Sequence, residues 1–142
     1  MSKKTSKLDR LLDLNSLHTR LIKDVSLQLG EHGISFTEFE IMHYLKNAPG
    51  ETLTRVDLAV AVGLSTSGLT RLLMPMQKIG LTEKKVNPEG AKLGLIRITK
   101  AGKKAFMNAC TTVENATNES TKTINNEYIN AFFCPNNGLK RN

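Results

Sequence analysis

Apolar residues recur every three or four positions through the N-terminal part of this chain, at Leu8, Leu11, Leu14, Leu17, Leu21, Val25 and Leu29. That period predicts one amphipathic helix from about Asp9 to Leu29, with Gly30 and Gly33 bracketing its end. Ser35 and Glu38 have the spacing of a capping box. They open a second helix from Phe36 to about Lys46, with Phe39, Met42, Tyr44 and Leu45 largely inward. Pro49-Gly50 is a turn. Thr54 with Asp57 caps a third helix that ends at Gly63. A fourth extends from Thr66 to about Ile79, where Gly80 stops it. Inside it, Pro75 lacks an amide donor and crowds the Arg71 carbonyl, which is expected to kink the helix or end its straight part.

The pattern then becomes strand-like over Leu81–Val86 and Leu93–Ile98, and the turn-rich Asn87-Pro88-Glu89-Gly90 between them makes the pair a β-hairpin. Thr99 caps a further helix. Its stripe runs through Phe106, Cys110, Val113, Thr117, Ser120, Ile124, Tyr128 and Ala131 to a stop at Pro135. The middle of that stripe is weakly apolar, so a bend is expected near Ala116–Thr121, and the tail Asn136–Asn142 is expected to be mobile.

The segment Leu58–Leu72 is the most specific part of this pattern. Two short helices meet there at a tight turn, with the small Ala59 at their crossing and Gly63 where the turn needs positive φ or close approach. Ser65 is placed to accept from the unpaired amides of the second helix. Leu69 returns that helix's apolar face to the first. This is the arrangement of a helix-turn-helix, whose second helix enters the DNA major groove; a plain αα-hairpin is the simpler alternative. Gly68 lowers helix propensity by roughly 1 kcal/mol against alanine. It either admits close backbone approach by a partner or is merely tolerated in packing.

Charge sharpens the picture. The chain has 142 residues and a formal charge of +7. From Arg71 to Lys104 nine basic residues (Arg71, Lys78, Lys84, Lys85, Lys92, Arg97, Lys100, Lys103 and Lys104) face only Glu83 and Glu89. The remainder is balanced, with 11 residues of each sign. Beside a helix-turn-helix, such an excess points to phosphate neutralisation rather than to a solvated face alone.

Length fits one domain with an ordinary core, and the low aromatic content and missing Trp leave that core to Leu, Ile, Val, Ala and Met. No apolar run follows Lys3, Lys4 and Lys7 as in a signal peptide, and Leu58–Leu64 is far too short to span a bilayer. Cys110 and Cys134 form no metal or redox spacing, so free thiols in a reducing cytoplasm are expected.

In this order and spacing the motifs resemble the MarR family of winged-helix transcriptional regulators, over most of the chain from about Leu11 to Tyr128. Ser35-Phe36-Thr37-Glu38-Phe39 is similar to the family's "LT-x-x-Q/E-F" entry to helix two. Leu58-Ala59, Gly63-Leu64-Ser65, Leu69-Thr70-Arg71-Leu72 and Ile79-Gly80-Leu81 follow. Ile98-Thr99-Lys100-Ala101-Gly102 is similar to the "LT-x-x-G" that closes the wing. The family's Asp-x-Arg at the wing is replaced by Gly90 and Lys92, and lysine lacks arginine's bidentate fork.

The resemblance implies a mainly α fold with a small β-hairpin wing, a winged helix-turn-helix with N- and C-terminal dimerisation helices. It divides one intertwined domain into 1–34 (N-terminal dimerisation helix), 35–99 (DNA-binding region) and 100–142 (C-terminal dimerisation helix and tail). Because the chain stops where such regulators usually have a last helix, the first and the long penultimate helix are expected to carry most of the dimer. The expected function is a cytoplasmic homodimeric regulator, a repressor by analogy, that reads near-palindromic double-stranded DNA.

Ser65, Thr66, Ser67, Thr70 and Arg71 would meet bases and phosphates from the helix N-terminus, and Lys84, Lys85, Lys92 and Arg97 would act from the wing. The resemblance further implies a small, often aromatic or anionic, effector in the crevice beside the dimer helices. His18, Arg20, Phe36, Phe39 and Tyr44 are the candidate lining, although each taken singly is better read as core or surface. No cofactor, metal or membrane partner is expected: His18, His32 and His43 are scattered with no cysteine near them. The chain shows no Ser-His-Asp set, paired carboxylates or phosphate loop, so an enzyme is not expected. The alternative is a winged-helix protein-interaction module that has lost specific DNA binding.

Overall fold

The computed structural model describes residues 6–86, 94–124 and 127–133. Helix α1 (Lys7–Leu29) begins two residues earlier than its apolar period suggests. The reason is local: Ser6 accepts from the Asp9 amide while the Asp9 carboxylate accepts from the Ser6 amide, a complete capping box. A single turn of 3₁₀ helix, Gly30–His32, and the left-handed Gly33 (φ 69°) carry the chain round. Helix α2 (Phe36–Asn47) opens on the expected Ser35–Glu38 box. It buries Ile41, Met42 and Leu45 completely, whereas Tyr44 is exposed, against the expectation that it turns inward.

Strand β1 (Thr52–Thr54) follows the Pro49–Glu51 turn and had no counterpart in the sequence reading. Three residues are too few to display a period, and their partner lies far along the chain. Thr52, Leu53 and Thr54 pair antiparallel with Arg97, Ile96 and Leu95 of β3 (Leu95–Ile98). Strand β2 (Thr82–Lys85) pairs with the other edge of β3, giving a three-stranded sheet of order β1-β3-β2. Both wing strands are shorter than expected. The hairpin tip, with Gly90 and Lys92, lies outside the described residues.

Helices α3 (Arg55–Val62) and α4 (Thr66–Lys78) meet at 100°, within the range of a helix-turn-helix. Gly63 takes φ 71°, and behind it Leu64 N–H donates to the Ala59 carbonyl at 2.9 Å while Gly63 N–H donates to Val60. The same closure recurs after α4, where Leu81 N–H reaches Met76 O at 2.9 Å and Gly80 N–H reaches Gln77 O. These are Schellman closures, in which a left-handed residue lets the last carbonyls find donors. Pro75 does not end α4, which continues to Lys78. The hydrogen bond it forgoes, to Arg71, is on the exposed face of the helix, where water can serve the carbonyl.

Helix α5 (Lys100–Thr123) starts at the Thr99 cap and packs along α1. Its buried positions are Gly102, Phe106, Ala109, Ala116 and Ser120. It stays helical across Ala116–Thr121, where a bend was expected, and breaks instead at Ile124. A short last helix, α6 (Glu127–Phe133), follows, so the stripe expected to run as one helix to Pro135 is divided into two. One core draws on the five helices α1 to α5 and on strands β1 and β3, centred on Leu29, Ile41, Leu45, Leu58, Leu73 and Ile96. No single helix among the described residues is long and apolar enough to cross a membrane.

Candidate nucleic-acid interface and adjoining cleft

The amphipathic split of α4 sets up the first site. Leu69, Leu73 and Met76 face the core at 0–1% exposure, so the opposite stripe must face outward. That stripe holds Thr66, Ser67, Arg71, Met74 and Lys78, all exposed. At its N-terminus Ser65 accepts from the Gly68 amide at 3.1 Å, fixing the first turn. A Cβ on Gly68 would stand 3.2 Å from Ser65 Oγ, so the glycine leaves room for this cap. That gives Gly68 a local reason that the sequence alone did not supply.

Thr70 sits differently from its neighbours. Its hydroxyl donates to the Thr66 carbonyl at 2.9 Å and accepts from Arg55 Nη1 at 2.5 Å. Arg55 was not among the expected site residues. It lies at the start of α3 and ties α4 to it across the turn, 15 positions away in sequence. No local pattern signals such a link. A cation at a helix N-terminus is unfavourable towards the dipole, and that mismatch is the only sequence hint that Arg55 is needed elsewhere.

On the wing, Lys84 and Lys85 are exposed on β2. Arg97 is exposed as well, but Glu83 stands directly opposite it in the ladder. Arg97 Nε donates to Glu83 Oε1 at 2.7 Å, and Nη2 donates to the same oxygen. Lys103 likewise pairs with Glu51 at 3.0 Å, an acid from outside the basic segment. Arg71, Lys78, Lys84 and Lys85 show no ion pair among the described residues. Lys100 and Lys104 in the first turns of α5 are likewise exposed and in no ion pair among the described residues, so the open positive positions lie on α4, β2 and the start of α5, with Arg97 and Lys103 answered by acids. Lys92 cannot be placed among them, because it lies outside the described residues.

A second concavity lies where α2 faces α1 and α5. Phe36, Phe39 and Tyr44, three of the residues singled out for a ligand, line one cavity of about 310 Å³ with Val25, Glu40 and His43. Phe39 stacks on Phe106 with centroids 4.9 Å apart. His18 lines an adjoining hollow of about 520 Å³ with Leu14, Leu17 and Phe132, and the two share Leu21 and Phe133. Arg20 lines neither. Glu40 and His43 were missed, although they follow Phe36 and Phe39 by four residues each and so share their face.

Burial pushes the Glu40 carboxyl above the usual carboxylate range, against the opposing pull of His18 and His43. A raised folded-state value means that ionising Glu40 costs stability at neutral pH, a cost that disappears as pH falls through the raised value. Glu40→Gln is therefore expected to raise the urea midpoint at pH 7 relative to the parent, with the difference shrinking as the pH is lowered and Glu40 becomes protonated in both states. A parent equal to the variant at pH 7 would place Glu40 fully in water.

Burial also pushes the half-buried Cys110 thiol up, with Lys46 opposing and Glu114 adding to the rise. Such a thiol is a poor nucleophile. No group of three or more His, Cys, Asp or Glu is arranged to hold a metal among the described residues.

No protein-family model and no curated protein matches this sequence. Solved structures do match its shape. A MarR-family transcriptional regulator from Rhodococcus sp. RHA1 aligns with TM-score 0.79 at 17% identity, over 94% of this chain and 93% of its own. The transcriptional regulator BldR from Sulfolobus solfataricus gives 0.77 at 20%, over 95% and 96%. A mutant MarR from E. coli complexed with operator DNA gives 0.75 at 18%, over 94% and 96%. The described residues have the winged helix-turn-helix fold of these regulators.

Proposed function

We propose that this chain is a homodimeric, sequence-specific, double-stranded DNA-binding transcriptional regulator that responds to a small effector. The observation that carries the reading is the outward stripe of α4, capped at Ser65 and set beside the exposed lysines of β2. Thr66, Ser67 and Arg71 are presented by the first turns of a helix whose other face is locked into the core, the geometry by which a recognition helix is held in a major groove. Neighbours of the same fold include one solved on operator DNA, which supports the same partner here.

Dimerisation is supported by apolar surface that one chain leaves uncovered. Leu8, Leu11, Leu12 and Leu14 of α1 are 57–64% exposed, and Phe132 of α6 is 80% exposed. A contiguous patch of that kind marks an interface, and a second copy supplies a self-complementary cover. Sedimentation equilibrium at micromolar concentration then returns about twice the 15.7 kDa chain mass. The cleft around Phe39 and Glu40 opens beside this patch, which supports a ligand able to bias the separation of the two recognition helices.

The test is binding to generic duplex DNA across a salt titration. Affinity is expected to fall steeply with salt, and replacing both Lys84 and Lys85 by alanine is expected to flatten the slope by about one phosphate contact per effective lysine. The loss is the same for every sequence, because phosphate contacts carry no base information. No binding even at low ionic strength defeats this reading and leaves the protein-interaction module. Binding with an unchanged slope in the double variant places those lysines on a solvated face.

A further inference from the structure

The outward stripe of α4 has an unusual chemistry for a helix that reads bases. It carries no Asn, Gln, Asp or Glu. The one amide on the helix, Gln77, is turned inward, its Nε2 buried and without a hydrogen-bond partner among the described residues. Bidentate recognition of adenine, which needs a carboxamide, is therefore not available from α4, and no carboxylate is there to accept from the cytosine amino group. Thr70 has committed its hydroxyl proton to the Thr66 carbonyl and one lone pair to Arg55, which holds the hydroxyl in place and leaves its methyl to offer an apolar contact. One turn further on stands Met74, 63% exposed in the middle of the same face. It lies seven residues, two helical turns, below Ser67. A solvent-facing methionine there gains nothing from packing within the chain.

The geometry points to an apolar reading of thymine: Met74, with the Thr70 methyl beside it, contacts the C5-methyl groups of thymines in the major groove. Thymine is the one base that displays a methyl there, and a flexible thioether adapts to its position without demanding hydrogen-bond geometry. Arg71, the only fork on the stripe, is then left for phosphate or a guanine edge. Arg55 acts as a positioning residue, because holding the Thr70 hydroxyl fixes which part of that side chain is free. This inference rests on the DNA-binding reading above and adds the base it selects.

Deoxyuridine tests it directly, since it removes the methyl and keeps every hydrogen-bonding group. Duplexes bound by the full chain are selected from a random-sequence pool, and the thymines of one selected duplex are replaced singly by deoxyuridine. Selected sequences are expected to share a thymine at one fixed place in each half-site. Its replacement should weaken the parent by about fourfold, the factor expected for one buried methyl-sized group. Met74→Ala should be insensitive to the same replacement, and Met74→Leu should restore the sensitivity.

Selected sites with no common thymine, equal binding of deoxyuridine and thymine by the parent, or undiminished sensitivity in Met74→Ala each overturn the inference. In those cases the retained binding of the selected duplex shows that the regulator reading still stands. Absence of binding to any duplex removes both.

Discussion

Alanine at position 102 is expected to cost about 3 kcal/mol of stability, the upper part of the range for overpacking. Gly102 lies in the first turns of α5 in ordinary helical conformation, where alanine would normally be favoured by about 1 kcal/mol. Tertiary packing reverses that sign. A Cβ there would overlap the Leu81 carbonyl oxygen and crowd Ile98 Cγ1 at 2.8 Å. The obstacle is backbone, which cannot rotate aside.

That carbonyl is moreover held. Thr99 N–H donates to Leu81 O at 3.1 Å, and the Thr99 hydroxyl reaches the same oxygen and the Gly80 carbonyl. Gly102 N–H in turn donates to Thr99 Oγ1 at 2.9 Å. Gly80, Leu81, Thr99 and Gly102 thus lock the end of α4, the start of β2 and the start of α5 together. Equilibrium urea unfolding checks the prediction. A midpoint unchanged or raised in Gly102→Ala would mean that α5 does not close on the wing in this way.

This lock explains why much of the fold could be read from residue order. Ser35, Thr54, Ser65 and Thr99 each cap a helix within three residues, and Gly63 and Gly80 close helices through their own conformation, so the signals lie next to the structure they make. What was not legible depends on partners remote in sequence. Strand β1 exists because β3 lies alongside it, and the break at Ile124 occurs where no glycine or proline announces it.

The candidate site divides in the same way. Outward positions on α4 followed from helical period. The engagement of Thr70 by Arg55 and of Arg97 by Glu83 followed only from register and crossing angle. Tyr44 illustrates a third case, a residue read as core that stands exposed at the rim of a cleft.

Glutamates at Leu11 and Leu14 are expected to convert the protein to a 15.7 kDa monomer at micromolar concentration. Both leucines are more than 60% exposed on α1 in the single chain, so neither substitution touches the buried core. Thermal unfolding of the isolated chain should change little on that account. In a two-fold assembly the same patch meets itself, and four carboxylates would then replace apolar contact at the seam, only partly answered by Lys7 and Arg10 one turn before them. Burying charge in such a seam is costly.

The effect on DNA follows from geometry. Two α4 helices in a dimer span half-sites roughly 34–36 Å apart, about one turn of duplex. Breaking the dimer makes the second half-site a separate binding event and forfeits its effective concentration, a loss on the order of 10²–10⁴ in affinity for the paired site. Weak, salt-sensitive binding of each chain to random duplex remains, since Arg71, Lys84 and Lys85 lie on other elements. Sedimentation and fluorescence anisotropy on the same samples separate the two effects. A variant that still sediments as a dimer would show that the exposed leucines of α1 are not what joins the chains.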